Sequence, residues 1–202
     1  MPLRWSKISE EVGEDRMILL SGLRYPTDRP MFAPALAAAH RRGMGVTRVD
    51  FTFADDAGFL AKPDVEQLAL VASEGRALLE ALGAGPFVLV GKSLGTMIMG
   101  AMVGRVDPRT RWVWLTPALN GTGLLAQMTV CHGPSLSIIG SEDGSVGSTR
   151  SDEYLSLPGM THFEFAGFNH TWNHPEGAAV EERSLAEIGR IFDQWLDQTA
   201  PH

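Results

Sequence analysis

The chain is poor in cysteine, in positive charge and in long apolar runs, and each shortage excludes something. Cys131 is the only cysteine among 202 residues, so no internal disulfide can form, and a reducing, cytoplasmic setting is expected. A net charge of −7 leaves no basic surplus for a nucleic-acid surface. The densest basic spots, Arg41-Arg42 and the pair Arg109 and Arg111, read as solvated ends of elements. No apolar run reaches the length of a membrane span, and Met1-Pro2-Leu3-Arg4-Trp5-Ser6-Lys7 lacks the apolar stretch of a secretory signal. Internal repeats, low-complexity tracts and linkers are also missing. With 44% apolar and 20% charged residues, the expectation is one globular domain over residues 1–202. Its first 16 residues form an N-terminal arm and a candidate edge strand.

What is present is an alternation of strand and helix signals. Met17-Ile18-Leu19-Leu20 reads as a fully buried strand, followed by the turn-rich Ser21-Gly22-Leu23-Arg24-Tyr25-Pro26. Met31 to His40 is helix-like, with Gly43 as its stop, and Val46 to Phe51 is a second strand. Pro63, Asp64 and Glu66 open a long helix whose period carries Val65, Leu68, Ala72, Leu79 and Leu82, closed by Gly83. Further strands are expected at Phe87–Val90, Arg111–Leu115, Leu136–Ile139 and Thr161–Phe165. Short helices are expected near Leu124–Met128 and Asp152–Leu155, and a closing helix over Ala178–Gln198. Such alternation predicts a three-layer α/β/α fold around a mostly parallel sheet of about six strands. Ligands of such sheets bind beyond the carboxyl ends of the strands. The loops at Ser21–Pro26, Gly91–Gly95, Gly140–Gly144 and Ala166–His170 are therefore where chemistry is expected.

Gly91-Lys92-Ser93-Leu94-Gly95 lies between the Phe87–Val90 strand and an apolar, helix-like run from Thr96 to Val103. A serine at the apex of a strand–turn–helix unit, with glycines two residues to either side, has the form of a nucleophile elbow. A serine hydroxyl needs an adjacent base, itself oriented by a third group. His170 follows the last strand and Asp143 follows the strand before it, in the chain order Ser, Asp, His.

On Gly91-Lys92-Ser93-Leu94-Gly95-Thr96, Ile139-Gly140-Ser141-Glu142-Asp143 and Gly167-Phe168-Asn169-His170, the chain resembles the α/β-hydrolase superfamily from about Met17 onward. The resemblance implies Ser93 as nucleophile, Asp143 as acid and His170 as base. It also implies an oxyanion hole from the backbone N–H groups of Leu94 and Leu23. The loop reads Ser21-Gly22 where many members have His-Gly, and too few residues separate the fourth strand from the fifth for a cap domain. The chain looks most like small, cap-less carboxylesterase, thioesterase or dienelactone hydrolase-like members. The implied activity is hydrolysis of a carboxylic ester or thioester of a small to medium acyl group. Small-molecule substrates are implied as partners, and no metal or organic cofactor is. The rival from another class is a non-hydrolytic binding or receptor protein that retains the fold.

Other residues compete for these roles. Glu142 adjoins Asp143 as an alternative acid, and His174, before Pro175, is an alternative base. His162, at the start of a strand, reads as structural. The spacing of His162, His170 and His174 matches no zinc pattern. Cys131-His132 is not surrounded by an elbow. A phosphate-loop reading of Gly91-Lys92-Ser93 fails because position 86, where that motif needs glycine, is Pro86. Lys92 and Arg24 could lend positive character to a pocket mouth, although a solvated or internally paired Lys92 is the simpler expectation. Met97, Met99, Met102 and Trp172 are candidates for an acyl pocket or for plain core.

Overall fold

The computed structural model describes residues 5–10, 15–55, 57–145, 154 and 156–200. Seven strands form one sheet: β1 (Trp5–Glu10), β2 (Arg16–Leu20), β3 (Gly45–Phe51), β4 (Val88–Lys92), β5 (Arg111–Leu115), β6 (Ser135–Glu142) and β7 (Met160–Asn169). Their spatial order is β1-β3-β2-β4-β5-β6-β7. Six strands run parallel, and β1 pairs antiparallel with β3 at one edge. β1 lies within the N-terminal arm. The helices are α1 (Ala33–Arg41), α2 (Ala57–Leu60), α3 (Asp64–Leu82), α4 (Leu94–Met102), α5 (Leu124–Thr129) and α6 (Ala178–Gln198). The helix expected near Asp152–Leu155 lies largely outside the described residues.

The unbroken apolar runs follow from burial of the sheet on both faces, since successive side chains point to opposite sides. Ile18, Leu20, Leu89, Trp112 and Trp114 join one core beneath α3 and α4. Met17, Leu19, Val88, Val90, Val113 and Leu115 join the other, beneath α1 and α6. On the outer side of that second layer, Arg41 and Arg42 tie α1 to α6 through Asp193 and Asp197, so these arginines are paired helix ends.

The phase of α3 differs from the expected one. Val65 is 72% exposed, whereas Val71, Glu74, Gly75, Leu78 and Leu82 are buried. The crossing with α4 is made at Gly75, where an added Cβ would lie 2.9 Å from Ala101 Cβ and 3.0 Å from the Ile98 carbonyl oxygen. Hydrophobic periodicity does not register a contact made by glycine.

Two further strands run longer than their apolar runs. β6 continues through Glu142 and β7 through Asn169, so segments expected as loops are paired backbone. Between the pairs Gly140↔Phe165 and Glu142↔Asn169, β7 uses more residues than β6, and the register shifts. A Cβ on Gly140 would lie 2.0 Å from the Phe168 carbonyl oxygen, so only glycine admits this bulge. The bulge sets the bend from which Asp143 and His170 leave the sheet. Because β2 has β3 on one side and β4 on the other, strand order reverses between β2 and β4, which opens a crevice at their carboxyl ends.

Candidate active site

The elbow is built on close backbone approach. Ser93 sits at φ 50°, ψ −111°, a conformation unfavourable for a residue with a side chain, at the junction of β4 and α4. A Cβ on Gly91 would lie 2.7 Å from the Gly95 carbonyl carbon. One on Gly95 would lie 2.3 Å from the Leu20 carbonyl oxygen. These two glycines let β4, α4 and the end of β2 meet at the turn. The Ser93 N–H donates to the Leu115 carbonyl (3.1 Å), and Thr96 Oγ1 donates to the Ser93 carbonyl (2.5 Å). The serine is held from both sides.

Ser93, His170 and Asp143 come together. His170 Nε2 is 2.8 Å from Ser93 Oγ, and His170 Nδ1 is 2.9 Å from Asp143 Oδ1 and 3.1 Å from Oδ2. Asp143 is 5% exposed. Burial pushes its carboxyl upward, but hydrogen bonds from His170 and Ser145 outweigh that and hold it below the usual carboxylate range. An ionised Asp143 favours the tautomer with the proton on Nδ1, which leaves Nε2 free to accept from Ser93 Oγ. The bend carrying His170 is itself tied down by Asn169. Its Oδ1 accepts from the backbone N–H groups of Thr171 and Asn173 and from Thr171 Oγ1.

Leu94 is the first residue of α4, where a backbone N–H has no acceptor within the helix. The loop after β2 presses against the elbow: a Cβ on Gly22 would lie 3.2 Å from the Lys92 carbonyl oxygen and 3.5 Å from Ser93 Cβ. Gly22 and Tyr25 exchange backbone hydrogen bonds, closing a turn that presents Leu23, 37% exposed, at the rim. Both segments named for the oxyanion hole therefore flank Ser93.

The competing residues lie elsewhere. Glu142 is exposed, and its Oε1 accepts from Ser141 Oγ. The His174 ring packs on Phe168 and over Gly167, and its Nδ1 accepts from the Glu176 N–H. His162 stacks edge-on against Tyr154. Burial pushes the Cys131 thiol up to about 12, so no thiolate is available there at neutral pH. Met99, Met102 and Trp172 are buried core, whereas Met97 is half-buried. Arg24 is exposed beside Leu23. Lys92 is not at a pocket mouth: it is 1% exposed, with Nζ 2.8 Å from the His170 carbonyl oxygen and 3.1 Å from Thr116 Oγ1.

Ser145 is a site residue that sequence reasoning missed. Its Oγ lies 2.6 Å from Asp143 Oδ1 and 2.9 Å from His170 Nδ1, and its N–H donates to Asp143 Oδ1 (2.9 Å). The available signal was Asp143-Gly144-Ser145, an aspartate positioned to accept from a backbone N–H two residues on. The burial of Lys92 was also readable. Continuing the alternation of β4 past Val90 puts Gly91 under α4 and Lys92 on the opposite, α1 and α6, side of the sheet.

No family model matches the chain, and no curated protein does. Solved structures do. A predicted CIB-like hydrolase from Thermoplasma acidophilum aligns with TM-score 0.67 and 21% identity over 95% of this chain and 92% of that one. Est1E from Butyrivibrio proteoclasticus, solved with ferulic acid bound, aligns with TM-score 0.67 and 11% identity over 96% and 95%. An alpha-beta serine hydrolase homologue from Coxiella burnetii aligns with TM-score 0.64 and 11% identity over 94% and 90%. At these identities the likeness is one of fold.

Proposed function

Starting from an α/β-hydrolase fold that carries no cap between β5 and β6, we propose that this chain is a serine hydrolase cleaving a carboxylic ester or thioester of a small to medium acyl group. The observation that carries this reading is the continuous line Ser93 Oγ–His170 Nε2 (2.8 Å) and His170 Nδ1–Asp143 Oδ1 (2.9 Å), with the serine on a strained turn. His170 takes the Ser93 proton as Oγ attacks the carbonyl carbon, and Asp143 holds the ring and stabilises the imidazolium. The oxyanion receives the N–H groups of Leu94 and Leu23, each donor lowering the barrier by about 3–4 kcal/mol. The protonated His170 then gives its proton to the departing alcohol or thiol. Water activated by His170 releases the acid from Ser93. The connection from β5 to β6 holds only α5, so no cap inserted there covers the crevice. A small-molecule substrate and a cytoplasmic setting belong to the same proposal. Among the described residues no helix is long and apolar enough to cross a membrane.

The test is hydrolysis of p-nitrophenyl acetate, butyrate and octanoate by the wild type, His170→Ala and His174→Ala. The wild type turns over. His170→Ala loses roughly 10³-fold or more in kcat, because the three residues act as a unit. His174→Ala stays within about twofold, the ordinary range for a side chain that only packs. A dead His174→Ala with an active His170→Ala would assign the base wrongly. A folded, inert wild type would favour the binding-protein alternative.

A further inference from the structure

The mechanism above gives the buried cation Lys92 no task. Lys92 directly precedes Ser93, and its side chain passes to the face of the sheet opposite α4. There Nζ meets three partners of different kinds: the His170 carbonyl oxygen at 2.8 Å, Thr116 Oγ1 at 3.1 Å and the Tyr25 ring, 4.5 Å to its centroid. An ammonium has three N–H groups, and each finds a partner here. Each partner belongs to a different segment around the crevice. Tyr25 closes the turn that presents Leu23, and its hydroxyl accepts from the Met31 N–H. Thr116 follows β5 and donates its N–H to the Ile138 carbonyl of β6. His170 ends β7.

We propose that Lys92 is a positioning residue for the hydrolysis. From inside the strand that carries Ser93, its ammonium grips the His170 backbone and the Leu23-bearing turn, and so sets the imidazole and the oxyanion donor relative to Ser93 Oγ. This rests on the serine-hydrolase reading. A simple stabilising role fits poorly, because burial lowers the Lys92 ammonium to about 8, an effect the charge of Asp143 offsets only in part. The charged and titratable groups facing this cluster, among the described residues, include Asp143, His170, the Tyr25 phenol, itself raised by burial, and Arg29 beside Tyr25. The unfolded chain keeps the lysine proton up to its ordinary value of 10.5. From about 8 to 10.5 the unfolded state therefore binds more protons, and Lys92 makes the fold more stable as pH rises. Over the same window the grip on His170 loses its charge. Stability and turnover move in opposite directions.

The experiment measures kcat and KM for p-nitrophenyl butyrate, the rate of fluorophosphonate labelling and the melting temperature, from about pH 7 to about pH 9.5. The proteins are the wild type, Lys92→Met, Lys92→Arg and Thr116→Val. The expected wild-type kcat falls about tenfold through a midpoint near 8, the difference between a charged and a neutral hydrogen bond, while KM holds. Lys92→Met starts about tenfold lower, lacks the alkaline fall and melts no lower than the wild type. Lys92→Arg, which stays charged, loses the fall near 8 whatever its level of activity. Thr116→Val keeps the lysine, removes one acceptor and loses about threefold, which keeps the test open if Lys92→Met does not fold. A Lys92→Met variant with wild-type kcat overturns the proposal, as does an alkaline fall in the wild type that persists unchanged in Lys92→Met. NMR of the His170 imidazole separates the two readings. An unlabelled wild type whose His170 signals change in Lys92→Met sinks the hydrolase reading and leaves Lys92 only as the group that sets the imidazole. A labelled wild type whose signals do not change sinks the Lys92 reading alone.

Discussion

On the proposed mechanism, Ser93→Ala is expected to lower kcat/KM toward a p-nitrophenyl ester by roughly 10⁴- to 10⁶-fold and to leave the fold intact. The size of the loss follows from chemistry. Without Oγ no acyl-enzyme forms, and what survives is binding and polarisation of the carbonyl by the N–H groups of Leu94 and Leu23. The fold survives because Ser93 makes no side-chain cap on α4 and its backbone N–H bond to Leu115 is retained. The same position carries strain, at φ 50°, ψ −111°. Glycine reaches that conformation at little cost, so Ser93→Gly is both inactive and more stable, by about 1 kcal/mol. A higher urea midpoint in Ser93→Gly, at unchanged slope, checks this. An unchanged or lower midpoint would mean that the turn stores no strain.

Gly95→Ala has the largest expected effect on stability. The added Cβ would lie 2.3 Å from the Leu20 carbonyl oxygen and 2.9 Å from the Leu20 carbon and the Ser21 oxygen. These atoms are all backbone at the end of β2, where Leu20 pairs with Gly91 and the Ser21 N–H bonds to the Val49 carbonyl. Neither side can yield without breaking sheet pairing, so α4 is driven off the strand at about 3 kcal/mol or more. The displacement also separates the Leu94 N–H from the loop holding Leu23. A shift of about 1 Å there costs turnover roughly 10²-fold in the molecules that remain folded. Gly189→Ala in α6 is the control. No atom stands within 4 Å of its added Cβ, and the same chemical change stabilises by about 0.5–1 kcal/mol. Urea unfolding of both variants decides the matter. Equal and small effects would mean that the elbow does not depend on the close approach of α4 to β2.

Much of this was legible in the residues because local chemistry decides it. β5 is the run Arg111–Leu115 and α6 the run Ala178–Gln198, with the bounds their patterns suggest. Buried parallel strands leave continuous apolar runs, and an amphipathic helix marks its own ends. The elbow was legible for the same reason, since serine between glycines after a strand is a local signal. Features that depend on distant backbone were not. The bulge that aims His170 and Asp143 arises where Gly140 meets the Phe168 carbonyl, and neither residue announces that meeting. The buried face of α3 is set by Gly75 against Ala101 and Ile98, so a count of apolar positions chose Val65 instead. For Lys92 the expectation left open a solvated or an internally paired side chain, and the alternation of its strand decides for the inward one. Ser145 left one local signal, the Asp143-Gly144-Ser145 turn, but its place beside both Asp143 and His170 depends on the fold.

A nucleophilic Ser93, activated by His170 and Asp143, is probed by treating the folded protein with a fluorophosphonate, followed by intact mass and peptide mapping. One adduct is expected, on the peptide containing Ser93, absent in Ser93→Ala and slowed in His170→Ala. A folded protein that takes no adduct, or takes it on another serine such as Ser141 or Ser145, would contradict it.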